Sequence, residues 1–505
     1  MKRNQTVNLI GAVTLVTLMA KMLGIVREAL QARAYGTQEA ANLYTAANNN
    51  TIYLFTTAAY ALCIAAVPIL TPRLRRNRQE GCKAAGNLLT VTVLACLAVA
   101  GLWIGATFTP LMNFLWDGTA SETAQLASYM RIMALALPVI GAAYLLVALF
   151  QSLEHFVLQG SMSIPYNIVL IIFLSFFAEK MGVVGYVCAV TAAWLLQLGM
   201  TIPYMLKEQY RPQFRLDLHA EYVKTFFRTA LVTVLTTSIF LFCYLQDSGM
   251  TARLTGSPVS AFYYADKLFT PLTTTLIYSI STVLFPKFSQ EYASTDQKTY
   301  RRYIWGVLRT TLAVILPMSA VLAAFGTPIV KVLFEGGNFD ASSTAATGAI
   351  FTTYALSMAG FCALDLLSKA YYTMEKTLEP LLVNAGILVC NWGLNHIMGA
   401  RFGGAGLAAA TAISITLGGV AMGMLFLRRT GGIQVTPLAK SLLCALLAIG
   451  ILQVLTGRLL NGLEGKILLV AKCVGMGAVA AIAYVLLMLL VKQEDLMEII
   501  KRYYK

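Results

Sequence analysis

From about residue 7 to residue 491 the chain is a succession of apolar runs, most of them twenty residues or longer, joined by short connectors. A run of that length crosses the roughly 30 Å hydrocarbon layer of a bilayer as a helix, because a helix pairs every backbone group within its own segment. The sequence predicts spans near 7–31, 44–70, 85–114, 124–152, 159–178, 184–206, 225–246 and 258–286, then 303–325, 342–372, 379–398, 405–427, 437–457 and 466–491. The fold class is therefore all-α, a polytopic membrane protein of about fourteen transmembrane helices. Composition agrees: 12% of the residues are charged, where a soluble domain carries roughly 25%.

The net charge of +15 would suggest nucleic acid in a soluble chain. Here no basic domain interleaved with aromatics exists, and the cations gather in alternate connectors. Arg73, Arg75, Arg76, Arg78 and Lys83 form the first group; Lys207, Arg211 and Arg215 the next; then Lys298, Arg301 and Arg302; then Arg428 and Arg429. Lys492, Lys501, Arg502 and Lys505 close the series in the tail. By the positive-inside rule both termini are expected on the cytoplasmic side of the cell membrane. Lys2 and Arg3 before the run Val7–Ala20 resemble a signal peptide, but no small-residue cleavage site follows, so an uncleaved first span is expected. The nine cysteines stand singly and the three histidines far apart, which predicts no disulfide framework, no metal centre, no cofactor and no catalytic imidazole.

Three local patterns recur in register. Pro68 and Pro286, each read as closing its span, are 218 residues apart; Pro165 (before Asn167) and Pro380 (before Asn384) are 215 apart. Gly182–Thr191 and Gly403–Thr411 open the sixth and twelfth spans, with Gly185 and Gly406 221 apart. Each offset equals six spans, an even number, so the copies run the same way through the membrane, as parallel repeats do in several transporters. This predicts an N-terminal lobe over 1–215, a C-terminal lobe over 216–430, and two additional helices with a cytoplasmic tail over 431–505.

A charge within a span costs about 2.5 kcal/mol or more, so one that cannot reach the interface faces water or protein. The first span holds Lys21, Arg27 and Glu28, with Gly24 leaving room for a close neighbour. The eighth holds Asp266 and Lys267, and the tenth Asp365 and Lys369, spaced for mutual neutralisation. Lys21 and Arg27 lie in the first span of one repeat and Lys267 in the second span of the other, and they are expected to face a central cleft as an anion site, Arg offering a planar fork and Lys a point charge. The run Asn48-Asn49-Asn50 is expected either to line that cleft or to bond neighbouring helices. The seventh span, read as 225–246, carries no acid.

Several of these residues resemble one family. Ala20-Lys21-Met22-Leu23-Gly24-Ile25-Val26-Arg27-Glu28 and Phe262-Tyr263-Tyr264-Ala265-Asp266-Lys267-Leu268 are similar to patterns in the first and eighth helices of the MurJ (MviN) lipid II flippases, within the multidrug/oligosaccharidyl-lipid/polysaccharide superfamily. Leu333–Phe339, Ala370-Tyr371-Tyr372 and Lys376–Pro380 follow the same order. The resemblance implies a two-lobed, fourteen-helix transporter, not an enzyme, that moves a polyprenyl-diphosphate-linked saccharide outward by alternating access. It implies that Lys21, Arg27 and Lys267, with Glu28, Asp266 and Asn42 beside them, form the substrate site, and that the last two helices make a groove for the lipid tail. Its implied partners are the lipid-linked saccharide and membrane lipids, with monovalent-cation or membrane-potential coupling and a monomeric state. Asn42 stands where the family has an acid, Leu54–Ala59 lacks a later Arg and Glu, and Lys replaces Arg at 21 and 267. Competing readings are a flippase for another lipid-linked glycan and a cation or drug antiporter, the latter disfavoured by a cleft whose charge balance is basic. A membrane glycosyltransferase would need a catalytic loop domain longer than any connector here.

Overall fold

The computed structural model describes residues 3–428 apart from 117, 238, 252–258, 375 and 377, scattered positions between 440 and 450, and residues 465–490; the side chains of some helical positions, 3–14 among them, fall outside this set. Among the described residues the secondary structure is helical, save for one isolated bridge between Gly336 and Phe339. Eight of these helices are long and apolar enough to cross a membrane, or nine counting one bent pair. The chain forms two compact units, Met1–Ser260 with Gly336–Phe339, and Ala261–Glu335 with Asp340–Lys505. The expected lobe boundary at 215 lies inside the first unit.

In the first unit α1 (Arg3–Tyr35) is one long helix. The second span is α2 (Glu39–Asn48), a π turn (Asn49–Tyr53) and α3 (Leu54–Arg76). Pro68 does not close this span: the helix continues through Pro68 and Pro72 to Arg76, and in the second unit the helix runs past residue 286 to Ser294. A helix interior tolerates proline in a membrane because neighbouring groups satisfy the freed carbonyl. There follow α4 (Arg78–Ala106), short α5 (Leu111–Leu115), α6 (Ala120–Ala134) with α7 (Leu137–Ser152), and α8 (Phe156–Ser161) with α9 (Ile164–Phe176). Next come α10 (Ala178–Gly199), α11 (Ile202–Lys207), α12 (Glu221–Thr237) and α13 (Ile239–Thr251).

Two large cores, among the described residues, hold this unit. Leu43, Met133, Leu170, Tyr186 and Val190 join α2, α6, α9 and α10. Leu70, Val91, Phe150 and Phe226 join α3, α4, α7 and α12. Outward apolar side chains such as Leu102, Phe176 and Leu195 stay exposed, as a lipid-facing surface requires.

The seventh span corrects the sequence reading. It extends to Thr251, beyond the expected end at 246, and so carries an acid, Asp247, fully buried. The π turn presents Asn49 to this span: its side-chain amide donates to Ser248 Oγ (3.1 Å) and its carbonyl oxygen accepts from Tyr244 OH (3.2 Å). Asn50 turns back to Ala46 O (2.9 Å). Asn49 therefore bonds helices, since a polar group in apolar surroundings is cheapest when it finds a polar partner, while Asn50 bonds within its own helix.

The segment between α11 and α12 is strapped along α4. Asn87 acts like a length of backbone, accepting from Asp217 N (2.7 Å) while its amide donates to Asp217 O (3.0 Å) and to Tyr222 OH (2.9 Å). Arg215 N donates to Thr90 Oγ1 (3.3 Å). At Gly86 a Cβ would stand 2.7 Å from Gln213 O, so the strap lies close because no side chain intervenes.

The second unit contains α14 (Val259–Ser294, its first two residues grouped with the first unit), α15 (Gln297–Ala324) and α16 (Gly326–Phe334). Next come α17 (Ala341–Leu356) and α18 (Met358–Thr373), which form a pair bent by 41°. The eleventh and twelfth spans form one element, α19 (Leu378–Leu427), broken at Gly403 where φ is +57°. α10 breaks in the same way at Gly182, φ +58°. These two left-handed glycines are 221 residues apart, the offset at which the sequence repeats, and any other residue there would cost roughly 1–2 kcal/mol. The expected thirteenth span, 437–457, falls largely outside the described residues; α20 (Lys466–Leu490) supplies the fourteenth.

Arg301, read in the sequence as a connector cation, is only 1% exposed. Its Nη1 donates to Phe426 O (2.8 Å) at the end of α19, and its guanidinium stands 4.9 Å from the Phe426 ring centroid. A cation at the carbonyl end of a helix satisfies orphan acceptors and meets the negative end of the dipole.

Candidate functional site

The charges of the first unit gather where α1 faces α9. Arg27 forms an ion pair with Glu28 and lies 5.3 Å from the centroid of the Tyr166 ring. Glu28 is 4% exposed, and Lys21, about two turns earlier, is partly exposed. Asn167, the asparagine of the repeated Pro/Asn pattern, donates to Ala20 O (3.3 Å). The neighbour Gly24 was expected to admit is this Asn167, and it stays at ordinary contact, 3.9 Å from where a Cβ would be.

Asn42 is placed differently. Its side-chain oxygen accepts from Ser260 N (3.0 Å) and Ser260 Oγ (2.7 Å), and its amide donates to Thr37 O (3.3 Å). It caps the start of α14, serving one of the backbone N–H groups that a helix leaves unpaired there. Its polar atoms are committed to the fold and do not form an open ligand position.

In the second unit Asp266 is fully buried, 3.5 Å from Lys267 Nζ, and accepts from Thr270 Oγ1 (2.6 Å). Lys267 Nζ also lies 5.1 Å from the centroid of the Tyr263 ring. Each unit thus repeats one arrangement: a membrane cation beside the carboxylate of its chain neighbour, with a tyrosine face near it. The carboxylate offsets the cost of keeping the cation out of water, and the ring's negative face adds a further attraction. An anion could therefore exchange with the carboxylate as the cation's partner without leaving a bare charge in lipid. Asp365 and Lys369 make the expected i,i+4 ion pair at 3.1 Å.

The second unit also carries an apolar groove of about 550 Å³ walled by α14, α15 and α20, with Leu272, Pro317, Val321, Gly477, Tyr484 and Met488 along it. Its lining suits a hydrocarbon chain. Buried polar contacts that the sequence reading missed lie in α19, where Asn391 donates to Thr411 Oγ1 (2.6 Å) and Asn395 donates to Asn391 Oδ1 (3.3 Å). The signal was available, since Asn384, Asn391 and Asn395 recur at steps of seven and four, one face of a helix. Among the described residues no group of three or more His, Cys, Asp or Glu could hold a metal ion, and all nine cysteines are free thiols.

Helices that expose apolar faces to lipid while burying paired charges and a chain-sized groove define a polytopic membrane transporter of repeated helical units. The profile of the lipid II flippase MurJ family matches residues 31–475, and the chain belongs to that family. A lipid II flippase MurJ from Burkholderia cenocepacia is 25% identical over 436 residues, covering 83% of each chain. A probable lipid II flippase MurJ from Thermotoga maritima is 23% identical over 493 residues, covering 97% of this chain and 98% of its own. In fold the chain is similar to a lipid II flippase MurJ in an inward closed conformation, with TM-score 0.79 and 19% identity over 96% of this chain and 99% of that one. It is also similar to an inward-facing multidrug resistance MATE family transporter, with TM-score 0.67 and 12% identity over 82% and 94%.

Proposed function

We propose that this protein flips a polyprenyl-diphosphate-linked saccharide, the peptidoglycan precursor lipid II, from the cytoplasmic to the outer leaflet by alternating access, without catalysing a reaction. The observation that carries this reading is the cation, carboxylate and tyrosine arrangement at Arg27–Glu28–Tyr166 and again at Lys267–Asp266–Tyr263, in a chain of this family. Lys21 and Arg27 of the first unit and Lys267 of the second engage the diphosphate during the cycle, while Glu28 and Asp266 hold the cations when no substrate is bound. The groove along α20 takes the polyprenyl chain. An inside-negative potential favours outward movement of an anion by about 2.3 kcal/mol per charge per 100 mV, so the membrane potential can drive a monomeric carrier.

Expression in cells depleted of their own lipid II flippase tests the reading: growth is expected, and failure to grow with the protein in the membrane would assign the carrier to another lipid-linked glycan. The Lys/Arg asymmetry supports cytoplasmic termini and a cytoplasmic 73–78 loop. With the nine native cysteines replaced, a single cysteine placed in that loop should resist impermeant thiol reagents in sealed cells, and labelling from outside would reverse the orientation.

A further inference from the structure

The strap after α11 and the first turns of α4 wall a pocket of about 860 Å³ in the first unit, remote in sequence from every residue assigned above. Arg78, Lys83, Lys207 and Arg211 line it against one carboxylate, Glu208. That carboxylate is already engaged. Arg78 donates to its Oε2 (2.8 Å) and to the Glu208 carbonyl (2.6 Å), and His155 Nε2 lies 2.7 Å from Oε1. The His155 hydrogen bond first, and then Arg78, hold the Glu208 carboxyl below its ordinary range, so it stays charged and fixed. Lys83, Lys207 and Arg211 are exposed and have no carboxylate partner among the described residues.

The positive-inside rule accounts for cations on this face but not for a walled recess. Two further features point to a ligand. Tyr210, 6% exposed, lines the pocket, and its hydroxyl has no hydrogen-bond partner among the described residues. Buried hydroxyls normally have one, so this group is a donor waiting for an acceptor. Arg78 and Gln79, the first residues of the long helix α4, also line the recess at the positive end of that helix, whose Gln79 and Glu80 N–H groups Asn77 already caps.

A second pocket, about 420 Å³ and almost wholly apolar, adjoins the first at Gln213, which lines both. Val93, Leu146, Leu198, Met205 and Phe214 form its walls, and Phe214 is 90% exposed. A basic recess alone would suit any phosphate. A basic recess adjoining a hydrocarbon-lined one suits a molecule that is an anion at one end and an alkyl chain at the other.

We propose that these two recesses form a binding site for an anionic phospholipid, its phosphodiester among Lys83, Lys207, Arg211 and Tyr210 and an acyl chain against Leu146, Met205 and Phe214. The site is independent of the flipping reaction and of the residues proposed for it. It gives the strap a role: Asn87 and Gly86 fix the wall that separates headgroup from chain.

The test is lipid retention by the full-length protein in detergent, offered phosphatidylglycerol and phosphatidylcholine in equal amounts and read by native mass spectrometry. The parent is expected to retain phosphatidylglycerol preferentially. The double variant Lys207→Gln/Arg211→Gln should lower that retention on the order of thirtyfold, at the strength typical of a basic residue near an anionic lipid. The variant Arg75→Gln/Arg76→Gln removes equal charge from the same connector series outside the pocket and should leave retention within a few-fold of the parent. All four positions are exposed, so folding is not at stake. Equal losses in the two double variants would reduce the site to general surface charge and overturn the proposal. Displacement of the lipid by inorganic phosphate at matched concentration would overturn it in favour of a free-phosphate site. Loss of phosphatidylglycerol to a lipid-linked diphosphate at the same residues would overturn it in favour of a substrate-capture site.

Discussion

Replacing Arg27 with alanine should abolish flipping, and the expected reason separates into two parts that a second substitution can resolve. The first is the loss of a ligand: charge-assisted hydrogen bonds contribute roughly 1.5–3 kcal/mol each, so affinity for a diphosphate falls about tenfold to a hundredfold. The second is structural, because Glu28 is 4% exposed and paired with Arg27. Removing one partner of a buried ion pair costs about 3–5 kcal/mol, which lowers the yield of folded protein. The double variant Arg27→Gln/Glu28→Gln removes both charges together and should restore expression and thermal stability without restoring transport. Lys21→Arg and Lys267→Arg should remain active, since charge is kept and a phosphate fork gained. Reconstituted flipping of a fluorescent diphosphate-linked lipid measures both arms. Parent-like flipping by the folded double variant would remove Arg27 from the substrate site.

The Arg301→Ala variant should be among the most destabilising single changes outside that site. It loses a charged hydrogen bond to Phe426 O and a cation resting near the Phe426 ring, together about 2–4 kcal/mol. It also leaves the end of α19 with an unsatisfied carbonyl. The neighbouring Arg302 is exposed, and Arg302→Ala should be nearly neutral. A thermal shift assay on detergent-purified protein compares them: a drop of several degrees is expected for the first only. Equal melting temperatures would mean that the buried arginine does not pin α15 to α19.

What the sequence disclosed was set by the solvent. Spans were readable because lipid forbids unpaired backbone, so apolar length alone marks a helix, and the repeat was readable because Gly182 and Gly403 must be glycine at positive φ. Span ends were harder. Pro68 looks like a stop but is one hydrogen bond lost within a continuing helix, and the seventh helix passes its apolar run to bury Asp247. Side-chain partners were least visible. Asn42 entered the site only through the resemblance, and the Asn48–Asn50 run read equally as cleft lining or helix bonding, because polarity within a span signals an interior but does not say whether that interior is water or another helix. Arg301 illustrates the converse, a cation in a basic run whose burial only the fold decides. Lys21, Arg27, Glu28, Asp266 and Lys267 were singled out by their cost in lipid, and each unit brings its own carboxylate to its own cation.

The π turn at Asn49–Tyr53 has a consequence for what this chain can tolerate in evolution or engineering. A π segment is an α-helix with one residue too many, and the extra residue turns everything after it by about 100° relative to an uninterrupted helix. The buried face of α3, with Cys63, Ala66 and Leu70 in its core, therefore takes its direction from a single insertion some ten to twenty residues earlier. Deleting one residue among 49–53 would remove little volume and no charge, yet it would rotate the whole remainder of the span and send that core face towards lipid. The second span is in this sense indexed like a gear: its side chains admit substitution, but the number of residues in it does not.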